Sequence, residues 1–229
     1  MVRVRENPGK STKGASLNQR ILWDHGSLTP YAMDSWEALE PSVLRPAGIV
    51  TTAFSAAGTQ DFRAAAAYVS SLAYGRNASP ADALCVIQEG RGTCSTKHAL
   101  LRRLALEQGL DIALFLGLYE MTERNTPGVG RSLAANGFDR LLEAHCYLRS
   151  GLRRIDVTRV TRQAPVAPIG PFLHEEEIAP EQIGDYKTSL HRKFLWQWAE
   201  RENLGKLHTL EDLWRIREQC IAALSGLEG

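Results

Sequence analysis

The sequence predicts an α+β protein in which an antiparallel sheet packs against a helix that begins with a cysteine, with further helices in a C-terminal extension. Three observations predict this class. Residues 61–74 and 94–108 show the apolar periodicity of helices, residues 111–158 carry apolar runs of strand length, and residues 180–224 return to helical periodicity. Because the strands follow one another and do not alternate with helices, the order favours an antiparallel sheet over a parallel one.

The composition is that of an ordinary globular chain, and it excludes several partners. Of the 229 residues, 44% are hydrophobic and 23% are charged, which is enough to build one sizeable core. The 27 basic and 26 acidic side chains leave a net charge of +1, without the excess of positive charge that nucleic-acid binding needs. No apolar run approaches the ~18 residues of a membrane span. We therefore expect neither a nucleic-acid nor a membrane partner.

The cysteine pattern bears on the cellular compartment. Four cysteines are too few and too scattered for a disulfide framework, and the first residues lack the apolar region of a secretory signal. Both features predict a cytoplasmic protein with free thiols.

The pattern along the chain divides it into three segments. Residues 1–20 are polar and without periodicity, which predicts a flexible N-terminal segment. Residues 21–165 form the core domain, and within it residues 21–58 carry prolines and aromatic residues in no sustained period, which predicts irregular structure packed on the body. Residues 166–229 form a helical extension packed on the core, reached through a proline-rich connector over residues 163–173.

The two helices before the strands have local causes. Residues 61–74 are rich in alanine, the best helix former, and end before Pro80. Residues 94–108 end at Gly109, a residue suited to the left-handed terminus of a helix. On this second helix, polar side chains such as Lys97 can remain in water while the leucines face inward.

After these two helices, the sequence predicts three strands and then two helices in the C-terminal tail. Residues 111–121 are an apolar run of strand length, and residues 143–148 and 152–158 predict a hairpin around Ser150-Gly151. The tail over residues 180–224 predicts two helices.

The most informative segment is Gln88-Glu-Gly-Arg-Gly-Thr-Cys94, because it places a cysteine at the start of an amphipathic helix after two glycines. The unpaired N–H groups and the positive end of the helix dipole favour a thiolate at that position. A thiolate is the form of cysteine that attacks carbonyl groups at neutral pH. Cys94 is therefore the candidate nucleophile and the thiol expected to react first among the four. The alternative is a small residue at a helix start with no chemical role.

The hairpin supplies a candidate base. If Ser150-Gly151 are its two turn residues, His145 and Asp156 lie directly opposite one another on one face, with Cβ atoms about 5 Å apart. A carboxylate at that distance accepts an imidazole N–H and leaves the other ring nitrogen for a thiol. The alternative is a surface charge pair, and Glu143, two residues along the same face, is the rival carboxylate. Together with Cys94, the pair predicts a Cys–His–Asp triad.

The order of Gly-Thr-Cys94, a helix, a strand, Ala144-His145 and Ile155-Asp156 resembles the transglutaminase-like superfamily, which is related to papain. The resemblance covers residues 62–160 and implies a papain/transglutaminase-like fold. It also implies that Cys94 is the nucleophile, His145 the general base and Asp156 the residue that orients the base. The chain departs from the family pattern around the substrate groove at Cys146, Arg153, Arg154 and Val157.

Gln88 is the candidate for the oxyanion hole. It lies six residues before Cys94, a spacing that resembles the oxyanion-hole glutamine of papain-like proteases. Its amide, with the Cys94 backbone N–H, would stabilise a tetrahedral oxyanion by roughly 3 kcal/mol. The alternative is an exposed polar residue at the end of a strand, since Cys85 precedes it in an apolar, strand-like run.

Three other features invite a functional interpretation and do not support one. Gly9-Lys10-Ser11-Thr12 lacks the preceding glycine of a phosphate-binding loop, because Val4 stands there. The run from His174 to Glu177 is interpreted as the solvated start of a helix and not as a metal site. His98 lies one helical turn after Cys94, near enough to tune the thiol, but we prefer His145 as the base.

The predicted function is that of a cysteine-dependent enzyme acting on amide or acyl bonds, as a thiol hydrolase, peptidase or acyltransferase. The expected substrate is a protein or peptide, or a small amide or acyl compound, and no cofactor or metal is expected. Two alternatives remain at this point. One is a non-catalytic, transglutaminase-like binding module; the other is an acetyl-transferring enzyme of the arylamine type, which would need a coenzyme A pocket.

Overall fold

The computed structural model describes residues 33–158 and 167–226, and these form a mixed α+β fold, which confirms the predicted class. The predicted flexible segment 1–20 lies outside the described residues. The strands of the described part are β1 (Met33–Asp34), β2 (Ala73–Tyr74), β3 (Arg91–Gly92), β4 (Ala113–Met121), β5 (Leu141–Ser150), β6 (Arg153–Ile155) and β7 (Phe172–Glu177).

The helices surround these strands. Asp61 begins one of them by accepting a hydrogen bond from the Ala64 backbone N–H at 2.8 Å. The α-helices of the described part are α1 (Ile49–Ala56), α2 (Phe62–Ser71), α3 (Cys85–Glu89), α4 (Cys94–Gln108), α5 (Gly130–Ala135), α6 (Asp185–Arg201) and α7 (Leu210–Ser225).

The sheet is mixed and not purely antiparallel. Five strands run in the order β1-β6-β5-β4-β7, and β4 pairs antiparallel with both β5 and β7. The short edge pairing of β1 with β6 is parallel, which corrects the expectation of an antiparallel sheet. A strand of two residues carries no alternating pattern, so the sequence could not reveal β1. The strands β2 and β3 form a separate parallel pair just before α4.

The core lies between α4 and the centre of the sheet. Leucines from both sides are fully buried there: Leu100, Leu104, Leu114, Leu116 and Leu148. Burying each such side chain contributes roughly 1.5–3 kcal/mol, so this contact holds α4 firmly against β4 and β5. The helix has the predicted bounds, and Gly109 ends it with a φ of 64°.

The sequence predicted that Lys97 remains in water, but the structure buries it. Its side chain is fully buried, and its ammonium donates to the carbonyl oxygens of Leu72 at 2.5 Å and Thr158 at 2.8 Å. Backbone carbonyls satisfy the buried charge here, which a periodicity argument cannot foresee. The contact ties α4 to the chain just after β6.

Two local predictions in the first half of the chain are wrong. The segment 21–58 was expected to be irregular, but α1 occupies part of it; residues 21–32 lie outside the described ones. The strand-like run around Cys85 is the short helix α3. Both helices are short, and a short apolar run looks alike in a helix and a strand.

The C-terminal part contributes a strand as well as helices. The strand β7 adds to the free edge of β4, and α6 packs on β5 and against α7. His174 lies on β7, bonded to Glu176 at 3.0 Å and stacked on Phe194, so the predicted solvated helix start is wrong. Charged residues are common on edge strands, where they prevent further pairing.

None of the helices in the described ranges has both the length and the apolar character of a bilayer span.

Candidate active site

Cys94 is the first residue of α4, at the point where three elements meet. The left-handed Gly90 ends α3, the short strand β3 follows, and Thr93 begins α4 with its N–H bonded to Thr96 Oγ1 at 3.0 Å. Gly92 is required by close approach, since a Cβ there would lie 2.9 Å from Thr96 Oγ1. As a result, Cys94 is 9% exposed as a residue, and its thiol lies in the first turn of the helix, where the dipole favours negative charge.

His145 and Asp156 are brought together as predicted, but through a different register. The strands pair Leu148 with Ile155, so the turn is Gly151-Leu152 and not Ser150-Gly151. The shift moves each partner by two positions, which keeps the same face of the sheet. Asp156 therefore lies diagonal to His145 and not opposite it, just beyond the end of β6, and the His145 Nε2 to Asp156 Oδ2 distance is 2.9 Å.

The Asp156 carboxylate is held on its other oxygen by the chain that follows it. The Thr158 N–H and hydroxyl donate to Oδ1 at 2.8 Å and 2.5 Å, while the Asp156 N–H donates to the Asp34 carbonyl at 3.0 Å. Burial alone would raise the pKa of Asp156, but the charge and hydrogen bond of His145 outweigh it and hold that pKa well below its usual range. Asp156 is thus an ionised, fixed acceptor.

His145 links the carboxylate to the thiol. Its Nε2 donates to Asp156, which leaves Nδ1 for the hydrogen bond to Cys94. Burial disfavours the imidazolium, but the charge of Asp156, its hydrogen bond and the hydrogen bond to Cys94 raise the pKa of His145 to about 10. The His145 ring is therefore charged at neutral pH.

The Cys94 thiol is correspondingly acidic. Burial opposes the thiolate, but the charge of Lys187, the hydrogen bond and charge of His145, and the Cys146 N–H lower the pKa of Cys94 to about 6. A thiolate–imidazolium pair is thus the form of the site at neutral pH. This is the form that attacks a carbonyl and can then protonate a leaving group.

Lys187 on α6 is the site residue that the sequence reasoning missed. Its ammonium lies 3.8 Å from Cys94 Sγ and donates to Ser95 Oγ at 2.6 Å. A signal existed in the sequence, because Lys187 shares the buried stripe of α6 with His191, Phe194 and Trp198 at helical spacing. A lysine on an apolar stripe is rarely buried without a partner.

A buried ion pair lies beside the triad. Arg217 on α7 donates to both oxygens of Glu143, at 2.8 Å and 2.7 Å. Burial raises the pKa of Glu143, but the charge of Arg217 dominates and lowers it to about 2. Glu143, the rival carboxylate for His145, is therefore committed elsewhere.

His98 is a structural residue of the site. Its Nδ1 is 2.7 Å from the Cys94 carbonyl and its Nε2 is 2.9 Å from the Val157 N–H, so hydrogen-bond partners assign it as a neutral ring that donates at one nitrogen and accepts at the other. Burial lowers the pKa of His98 to about 4. With both nitrogens occupied, it joins α4 to the chain after Asp156 and has no ring nitrogen left for the Cys94 thiol.

Gln88 is not brought to the nucleophile. It lies on α3, where the helical turn leaves its side chain exposed, and it lines neither of the two cavities that include Cys94. The prediction of Gln88 as an oxyanion donor depended on its six-residue spacing before Cys94, and the exposed position of the side chain on α3 gives that role no support.

Cys94 lies on the wall between those two cavities. The larger, about 460 Å³, also contains His145 and Asp156 and is lined mainly by apolar and aromatic groups: Met33, Tyr74, Tyr119, Met121, Ile169 and Leu224. The smaller, about 280 Å³, is the more polar of the two and contains Lys187 and Arg217, while Glu143 lines both cavities. A volume of several hundred Å³ suits a small-molecule-sized group.

Within the described residues, no cluster of three or more His, Cys, Asp or Glu side chains is arranged to hold a metal ion. No family model, curated protein or solved structure matches the chain. What the site can do chemically follows from its own side chains.

Proposed function

We propose that the protein is a cysteine-dependent enzyme of the transglutaminase-like type, which breaks an amide or acyl bond through an acyl-enzyme on Cys94. The observation that carries the proposal is the convergence of Cys94, His145 and Asp156 on one cavity, with 2.9 Å between His145 Nε2 and Asp156 Oδ2. A buried imidazole with a carboxylate on one nitrogen and an acidic thiol on the other supports nucleophilic catalysis better than a packing role.

The reaction proceeds in two halves. The Cys94 thiolate attacks the carbonyl carbon, a C–S bond forms, and the carbonyl electrons move to oxygen. As the tetrahedral adduct collapses, the C=O bond re-forms and the C–N or C–O bond to the leaving group breaks; His145 donates its proton to the leaving amine or alkoxide, and the acyl group remains on sulfur. Neutral His145 then takes a proton from water or another acceptor nucleophile, which attacks the thioester and releases the thiolate.

The larger cavity supports an apolar acyl group. It adjoins Cys94 and His145, and its apolar lining would bury such a group next to the thiol. The acyl group therefore belongs in this cavity, whether it comes from a side chain of a protein or from a small amide or ester. Water is the default acceptor, so hydrolysis is the proposed outcome.

The test is to trap the acyl-enzyme. The wild type is mixed with p-nitrophenyl esters, and the release of nitrophenol and the intact mass are followed. We expect one acyl group per chain, located on Cys94, and loss of the reaction in Cys94→Ala. Cys220→Ala is the matched control, since that thiol is buried in α7 and outside both cavities. If the wild type is acylated no faster than Cys94→Ala, the proposal is wrong and a binding module is favoured.

A further inference from the structure

We propose that Lys187 is a catalytic residue of this site, whose ammonium holds the Cys94 thiolate before attack and binds the oxyanion after it. This inference rests on the proposed acyl-enzyme function. It assigns the oxyanion to a side chain from the C-terminal helices and not to Gln88.

The first argument is the position of the ammonium. Lys187 is 8% exposed, its Nζ lies 3.8 Å from Cys94 Sγ, and Ser95 Oγ fixes it at 2.6 Å. Burying an ammonium is costly unless a negative group accompanies it. Among the described residues, Lys187 forms no ion pair with a carboxylate, because Glu143 is bound to Arg217. Of the two thiols beside Lys187, burial raises the pKa of Cys146, whereas the pKa of Cys94 is lowered, so the negative group that matches Lys187 is the Cys94 thiolate.

The second argument is the direction in which the oxygen of a substrate carbonyl points when the carbonyl lies over Cys94 Sγ. Lys187 lines the polar cavity and His145 lines the apolar one, while Cys94 lines both. A carbonyl group placed over the sulfur therefore has a proton donor on one side and a cation on the other. Its leaving group belongs on the His145 side, which leaves its oxygen on the Lys187 side.

The third argument is the movement of charge. Attack transfers the negative charge from sulfur to an oxygen on the adjacent carbon, so a cation already in contact with sulfur remains close to the charge. A charge-assisted hydrogen bond in a buried site is stronger than a neutral one. The other cations near the thiol are already paired, Arg217 with Glu143 and Glu218 and the His145 imidazolium with Asp156. Of these three cations, Lys187 is the one for which the described residues supply no carboxylate.

The side chain of Lys187 is positively charged at neutral pH. Burial opposes the charge, but Cys146, Cys94 and Glu143 outweigh burial and the repulsion from Arg217, so the pKa of Lys187 is raised. His191 lies on the same helix and does not add a second positive charge. Its Nε2 donates to the Leu142 carbonyl, and burial lowers its pKa, so the ring is neutral.

The experiment compares two reactions of the same thiol. Alkylation by iodoacetamide forms a C–S bond without an oxyanion, whereas acylation by p-nitrophenyl acetate passes through one. Both rates are measured against pH up to their plateaus, where Cys94 is fully thiolate, in the wild type, Lys187→Met and Lys187→Arg. Lys193→Met, on the exposed side of α6, is the matched control. Circular dichroism reports whether each variant is folded.

We expect Lys187→Met to raise the apparent pKa of Cys94 in both reactions and to lower the acylation plateau by roughly 10²–10³-fold. The alkylation plateau should not fall, and Lys187→Arg, which keeps the charge, should recover most of the acylation. Lys193→Met should match the wild type in both reactions.

Two results would overturn the inference. Equal changes in both plateaus would mean that Lys187 acts on the thiolate alone, and no change in either would remove Lys187 from the chemistry. In both cases the wild type is still acylated, so the proposed function survives. A wild type that is alkylated but never acylated would instead overturn the proposed function, and this inference with it.

Discussion

Replacing Asp156 by Asn tests the proposed triad most directly, because it removes a charge and preserves the shape. The pKa of His145 rises from 6.5 to about 10 in the folded protein, with Asp156 as the strongest influence against burial. At about 1.4 kcal/mol per pH unit, this rise corresponds to roughly 5 kcal/mol of preference for the imidazolium. Burial lowers the pKa of His145, and without the carboxylate much less remains to raise it. We therefore expect this pKa to fall and the thiolate–imidazolium pair to be depleted at neutral pH.

The expected loss follows from the loss of general acid catalysis. We expect kcat/KM at pH 7 to fall by roughly 10²–10⁴-fold, less than in Cys94→Ala, because the nucleophile remains. The assay is turnover of a model ester against pH. In the wild type we expect activity to rise as Cys94 loses its proton near pH 6 and to fall as His145 loses its proton near pH 10. In Asp156→Asn the alkaline limb moves to lower pH, since it follows the pKa of His145.

The control is Asp139→Asn, whose carboxylate is 89% exposed and whose neighbour Arg140 also binds Glu120 and Glu202. It should match the wild type in rate and in both limbs of the profile. The reasoning is refuted if Asp156→Asn keeps the wild-type rate with its alkaline limb still near pH 10. That result would mean that Asp156 neither charges nor orients His145.

Three further outcomes are expected. Brief alkylation near pH 7 followed by peptide mapping should label Cys94 first, because burial raises the pKa of each of the other three cysteines; preferential labelling elsewhere would contradict this. In denaturant titration, Glu143→Gln should reduce the free energy of unfolding by about 3 kcal/mol, because Arg217 loses its ion pair with Glu143 and keeps only the one with Glu218, and adding Arg217→Met should recover part of it. Gln88→Ala should leave the rate of ester turnover unchanged; a drop of 10²-fold would restore Gln88 to the oxyanion hole.

Much of the triad could be predicted because its signals are local. The glycines before Cys94 and the leucine stripe after it lie in one short segment, and they specify a helix with a thiol at its start. His145 and Asp156 belong to one hairpin, so the alternation of strand residues places them on the same face. The turn was misplaced by one residue, yet the pair survived because the pairing moved by two positions.

The rest of the site could not be predicted because its contacts are long-range. Lys187 and Arg217 are charged residues on helices, and most such residues face water. Only the docking of α6 on β5 and of α7 against α6 determines that these two enter the interior. The same limit applies to β7, whose charged residues give it the local appearance of a solvated helix start.

The distance along the chain between Cys94 and Lys187 has a consequence for biosynthesis. The lysine lies 93 residues after the cysteine, and α6 must be made and docked before its charge reaches the sulfur. At about 5–20 residues per second, the ribosome needs roughly 5–20 s to cover that distance. During this interval the nascent chain carries a thiol without the cation that most lowers its pKa. The low pKa of Cys94 is therefore established only after α6 has been synthesised and docked, and until then the thiol is less reactive.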